Sequence, residues 1–133
     1  MDEAQVIAAE PEQAMTDLLA RLERDTGVQF VVVATSDLKG MSIDQYSLAL
    51  GNGWALGDPK LGNGLLLVVS PSARQARIEV GSGLRPILTE EFVARVSALM
   101  LPSFRAGDYT DGMMIGVVSL DTRLRKVAAD QAG

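Results

Sequence analysis

Two short, almost unbroken apolar runs constrain the fold of this chain more than any other feature. Residues 28–35 read VQFVVVAT, and residues 65–69 read LLLVV. Runs of this length that are rich in β-branched residues are typical of strands covered on both faces. A helical segment over residues 42–54 lies between them, which indicates a parallel pair of strands joined by a crossover helix.

Local signals place the remaining elements. Ser42 and Gln45 match a capping box, and Gly27 is placed to end the first helix. The patterns together predict helices over residues 11–26 and 42–54 and a hairpin strand over residues 75–80. A third helix is predicted between a cap at Thr89 and a stop at Gly107. A last helix, capped by Asp108 or Thr110, is predicted over residues 113–127. This order predicts a three-layer α/β/α sandwich with a small mixed sheet. We expect one domain over residues 1–128 and a frayed tail over residues 129–133.

The composition excludes several classes of chemistry. The 133 residues include no cysteine and no histidine, which excludes thiol nucleophiles, disulfides, histidine-based triads and the usual zinc sites. The net charge is −5 and the basic residues are scattered, so we expect no binding to nucleic acid. The longest aliphatic run is far shorter than the roughly 20 residues of a membrane helix, and the chain start lacks the basic residues of a signal peptide. We therefore expect a soluble, monomeric domain.

Two glycine-rich segments are candidate ligand cradles. Residues 51–57 lead from a helix to a strand, the reverse of a dinucleotide-binding loop, and residues 81–86 lack the third glycine of that motif. If the first two strands are parallel, the glycine-rich turn over residues 58–63 and the turn over residues 81–83 lie side by side at the same edge of the sheet. Their carbonyl groups, with Asp58 and Asn63, could then bind a hard cation such as calcium. The alternative is that the glycines serve only turn geometry and close backbone approach.

An ordered set of motifs covers almost the whole chain: DEA at the start, TGVQFVVV, W-x-x-G, NGLLLVV, RIEVGSGL, LTEEF and PSFRAGDYTDG. Together they resemble the TPM domain family, whose members include a thylakoid-lumen acid phosphatase involved in photosystem repair and many bacterial envelope proteins. The resemblance implies an α/β/α sandwich that binds divalent cations, often calcium and alternatively magnesium. Bacterial members usually carry a signal peptide in front and a membrane helix behind, so the resemblance also implies an excised domain from the envelope side of a membrane.

Matching these motifs residue by residue gives the candidate metal ligands. The DEA start supplies Asp2, and the acidic loop before Asn63 supplies Asp58. Asp108, in the G-D-Y motif, and Asp111 could add carboxylates, although helix capping alone explains Asp108. Asparagine before glycine is also a common turn signal, so Asn63 has a structural alternative.

Two functions follow from the resemblance. One is a metal-dependent phosphomonoesterase, in which the cation polarises phosphate oxygens and activates water. The other is a cation-stabilised interaction and maintenance module that docks on membrane proteins or assembly partners. We favour the interaction module, because the sequence places no nucleophile beside an evident base.

Overall fold

The sheet is assembled as the two apolar runs predict. The computed structural model describes residues 9–35, 37–53, 62–71 and 75–132. Strands β1 (Gln29–Ala34) and β2 (Gly64–Ser70) pair in parallel, and β3 (Gln75–Val80) pairs antiparallel with β2. The strand order is β1-β2-β3. All seven residues of β2 are buried, because β2 is the central strand and both of its faces are covered.

Helices cover the sheet on two sides, which confirms the three-layer α/β/α architecture. They are α1 (Ala9–Thr26), α2 (Ile43–Gly53), α3 (Glu90–Arg105) and α4 (Tyr109–Ala132). Helix α2 covers one face, where Ile43 and Tyr46 pack with Val33, Leu66 and Val68. The other face carries the larger core, formed with side chains from α1, α3 and α4. Within the described ranges, no helix is long and apolar enough to span a membrane.

The helix ends follow the local signals. Ser42 Oγ accepts from the Gln45 amide at 3.1 Å, and the Gln45 side chain accepts from the Ser42 amide at the same distance, so the capping box is confirmed. Asp108, rather than Thr110, caps α4 by accepting from the Asp111 amide at 3.0 Å. Gly107 ends α3 with a φ of 81°.

Two helices extend beyond their predicted bounds. Helix α1 begins at Ala9 rather than Pro11, and α4 runs from Tyr109 to Ala132 rather than over residues 113–127. Helix α4 begins directly after its cap, Asp108. The positions added at its other end include alanines, the best helix formers, and they follow the long core-facing segment without a stop signal. The frayed tail over residues 129–133 stays a prediction.

Candidate functional site

Among the described residues, strand β3 pairs with β2 on one side and with no strand on its other side. In an antiparallel ladder, residues alternate between pairs that exchange both backbone hydrogen bonds and pairs that exchange none. The Gly81 amide donates to Gly64 O at 2.8 Å, and counting back from this pair makes Glu79 a hydrogen-bonded partner of Leu66. The amide and carbonyl groups of Ile78 and Val80 therefore point away from β2, towards the outside of the sheet.

Helix α3 forms a second wall beside this edge. Thr89 Oγ1 accepts from the Phe92 amide at 3.2 Å and so fixes the start of the helix next to the end of β3. Glu90, Ala94 and Ser97 recur at a spacing of three to four residues and share one helical face. The open groove between β3 and α3 has a volume of about 870 Å³. It is lined by Arg77, Ile78, Glu79, Val80, Arg85, Leu88, Thr89, Glu90, Glu91, Val93, Ala94 and Ser97. We call this feature the β3–α3 groove.

The groove combines an apolar floor with a charged rim. Val80 and Val93 are half-buried and supply apolar surface between the two walls. On the β3 side, Arg77 Nε lies 2.9 Å from Glu79 Oε1 and 3.6 Å from Asp44 Oδ1. These ion pairs are exposed, so they contribute little to stability and leave the rim accessible.

At the α3 end of the groove the rim is acidic. Glu90 and Glu91 are exposed in the first turn of α3, where the helix dipole favours negative charge. Arg85, also exposed, offsets one of the two charges. Within the residues that the structure describes, none of these three side chains takes part in a salt bridge. Their charges are therefore available to a ligand.

The glycine-rich turns meet as the parallel topology predicts. The Gly83 amide donates to Gly62 O at 3.0 Å, next to the bond between Gly81 and Gly64. Asn63 links the same corner to the end of α1, because its Nδ2 donates to Gly27 O at 2.6 Å. The side-chain amide of Asn63 thus has a structural role in holding the turn.

The candidate metal ligands that the structure describes lie at two opposite ends of the molecule. Asp108 and Asp111 begin α4 beside Pro71, because Tyr109 Oη donates to Pro71 O at 3.5 Å beyond the end of β2. Asn63 lies before the start of β2, at the end of the molecule where Arg125 of α4 contacts α1. The α4 segment between these ends is roughly 24 Å long at 1.5 Å per residue, so one ion cannot bind both groups.

The local partners of these aspartates are structural. Asp108 caps α4, and Asp111 accepts a hydrogen bond from the Ser103 hydroxyl at 2.5 Å, which ties the end of α3 to the start of α4. Across the described residues, no group of three or more acidic side chains could hold a metal ion. Asp2 and Asp58 lie outside the described residues, so the cation site that they were predicted to form stays a prediction.

The sequence does not predict the β3–α3 groove, because the alternating pattern of β3 indicates an ordinary outward-facing role for Glu79. Two signals could have indicated it. Strand β3 comes last in the predicted hairpin and can pair on its second side only with another segment. The small residues Ala94 and Ser97 on α3 leave space beside it.

Comparisons with known proteins agree with this architecture. The chain is similar to the N-terminal domain of a P. gingivalis protein, with 30% identity over 95% of this chain and 81% of that one and a TM-score of 0.87. BA42 from Bizionia argentinensis has 20% identity, covers 90% of this chain and 82% of its own, and gives a TM-score of 0.75. An N-terminal domain from Corynebacterium glutamicum has 14% identity, covers 91% and 76% respectively, and gives a TM-score of 0.72. The last two similarities are evidence for a shared fold alone.

The family comparison covers most of the chain. No curated protein matches this sequence. The family model described as the TPM domain matches residues 1–123. The chain belongs to the TPM domain family.

Proposed function

We propose that this TPM domain is an interaction module, which binds other proteins of the cell envelope through the β3–α3 groove and catalyses no reaction. The observation that carries the proposal is the outer edge of β3, which pairs with no strand in the described part of the chain, beside a groove of about 870 Å³. An open strand edge is a ready template for association with another chain. The groove adds apolar contact surface and unpaired charges around that edge.

The charge pattern supports a binding role over phosphate chemistry at this groove. Glu79, Glu90 and Glu91 outnumber Arg77 and Arg85 among the lining residues, and Arg77 already contacts two carboxylates. A phosphate dianion would meet net repulsion there. A protein segment with basic residues would meet attraction.

We also propose that a divalent cation, calcium before magnesium, stabilises the turns next to Asp2 and Asp58. The support is membership of the family together with the adjacent glycine-rich turns. Backbone NMR of the chelator-treated domain, titrated with each metal, tests this part. We expect saturable shifts at Asp2, residues 58–64 and residues 81–83. Flat spectra to millimolar metal would contradict it.

Two groove variants test the interaction role. Ala94 and Ala98 are both exposed alanines one turn apart on α3, but only Ala94 lines the groove. We expect Ala94→Trp to fill the groove and abolish capture of an envelope partner from membrane extracts. Ala98→Trp, the matched control, should capture the partner as the parent domain does. Equal capture by both variants would place the binding surface elsewhere.

An activity assay distinguishes the interaction module from the phosphatase alternative. The interaction module should not turn over a generic aryl phosphate, with or without added metal. Turnover that follows the added metal and disappears in Asp58→Ala would overturn the proposal in favour of a metal-dependent phosphomonoesterase.

A further inference from the structure

We infer that the partner enters the β3–α3 groove as an extended peptide segment and pairs with β3 as a fourth strand of the sheet. This inference rests on the proposed function and names the chemistry of the ligand. Its starting point is the alternation of the β2–β3 ladder, which directs the backbone groups of Ile78 and Val80 outwards. No backbone hydrogen bond to either group is present beyond β2 in the described part of the chain.

The spacing of these groups suits a strand. Alternate residues of a strand lie roughly 6.6 Å apart along its axis, so the outward groups of Ile78 and Val80 repeat at the period of an added β-ladder. Recognition by strand addition obtains its affinity from such main-chain hydrogen bonds and its specificity from pockets for alternate side chains. The groove wall beside the edge supplies those pockets.

The two faces of the added strand would meet different surroundings. On the α3 side, the ligand side chains would lie against the half-buried Val93 and the small, exposed Ala94. On the other side, the ligand would face the ion pair of Arg77 and Glu79. The preferred ligand therefore alternates apolar and polar residues.

The acidic end of the groove adds a charge preference. The exposed carboxylates of Glu90 and Glu91 exceed the single charge of Arg85 at this end. A lysine or arginine at the matching end of the ligand would be attracted, most strongly at low salt. A second copy of this chain is disfavoured as the occupant, because it would bring the same acidic pair and a net charge of −5.

Charged residues on edge strands also protect proteins against non-specific pairing. Arg77 and Glu79 give this protection on the face of β3 that carries α2. The α3 face of the same strand has Ala76, Ile78 and Val80 instead, so pairing is restricted to a ligand that fits the groove wall.

NMR with a defined probe tests the inference. The probe is the acetylated and amidated peptide Lys-Val-Thr-Val-Thr-Val-Lys, added to the isotope-labelled domain. We expect cross-strand contacts between peptide and β3, and at saturation a roughly tenfold or greater slowing of hydrogen exchange at the Ile78 and Val80 amides. The Arg77 and Glu79 amides should change little, because they already bond to β2.

Two matched peptides serve as controls. The same peptide with every backbone amide N-methylated keeps its side chains but has no N–H donor for a ladder on either edge, so it should not bind. An acidic version with glutamate in place of lysine should bind with an affinity that is lower by roughly threefold or more, as expected for the loss of an exposed charge pair. The parent peptide should also fail to bind Ala94→Trp and bind Ala98→Trp normally.

The outcomes separate this inference from the function on which it rests. Saturable shifts in the groove without slower exchange at Ile78 and Val80 would overturn strand addition and leave the groove as a binding site. Equal binding of the parent and the N-methylated peptides would also overturn strand addition and leave the groove as a binding site. The inference would also be overturned if the peptide did not bind at millimolar concentration, or if the slower exchange at the β3 edge depended only on protein concentration. In either case the partner-capture comparison would still decide the proposed function.

Discussion

At the scale of single residues, the contact between the two glycine-rich turns depends on the absence of side chains. A Cβ atom added at Gly81 would collide with the carbonyl of Gly62 and lie 2.8 Å from Gly64 O. Gly81 has a φ of −61°, which any residue adopts, so close packing is the reason for a glycine here. The glycine at this position thus serves close backbone approach, which was the structural alternative to a ligand cradle.

We predict that Gly81→Ala lowers the free energy of unfolding by about 1–3 kcal/mol, the usual cost of overpacking a close contact. Chemical denaturation measures the change. Ser82→Ala, at the next position, should be nearly neutral because Ser82 is exposed. Equal stability of Gly81→Ala and the parent domain would show that the turns do not pack as described.

A second residue-scale prediction concerns pH. The side-chain hydrogen bond from Arg125 holds the pKa of Asp25 below its ordinary value. A carboxyl group with a lowered folded pKa stabilises the fold above its unfolded pKa of about 3.9, and this contribution is lost as the pH falls through the folded pKa. Carboxyl NMR titration of the parent domain should give an Asp25 midpoint below the ordinary value. In Arg125→Gln the midpoint should return towards it, and an unchanged midpoint would contradict the assignment.

At the scale of elements, the parts predictable from sequence are those fixed by nearest neighbours. The capping box at Ser42 and the cap at Thr89 use side chains within three residues of the amides that they bind, so the sequence alone defines them. The apolar runs defined β1 and β2 because helices cover both faces of the sheet at these two strands. The sequence did not show that Asn63 and Asp108 lie at opposite ends of the molecule, because the distance between them depends on the direction in which α4 crosses the core.

The cap of α3 gives a test at this scale. We predict that Thr89→Ala lowers the free energy of unfolding by about 1 kcal/mol, because the Phe92 amide loses its acceptor. Thr89→Ser keeps the oxygen atom and should retain most of the stability. Because this cap positions Glu90 at the groove, Thr89→Ala should also weaken partner binding. Equal loss in the serine variant would show that the methyl group, rather than the cap, is responsible.

At the scale of the whole molecule, the groove follows from strand order. The chain places a hairpin strand at the edge of a three-stranded sheet and then lays α3 beside it, and in the described residues that edge stays uncovered. The hairpin order and the small residues of α3 indicate this edge only indirectly, whereas the carboxylates in loops are explicit candidate ligands in the sequence. The fold makes the backbone of β3 the main source of unused hydrogen-bonding groups at the groove.

The most direct test of the interaction role is site-specific crosslinking in the cells that produce the protein. A photoactivatable benzoylphenylalanine replaces Ala94 in one variant and Ala98 in the other. We predict a discrete crosslinked partner from position 94, lost when Val93 is also changed to Asp, and at least several-fold less product from position 98. Equal products from both positions, or none from position 94 while a distant surface crosslinks to a partner, would contradict binding in the β3–α3 groove.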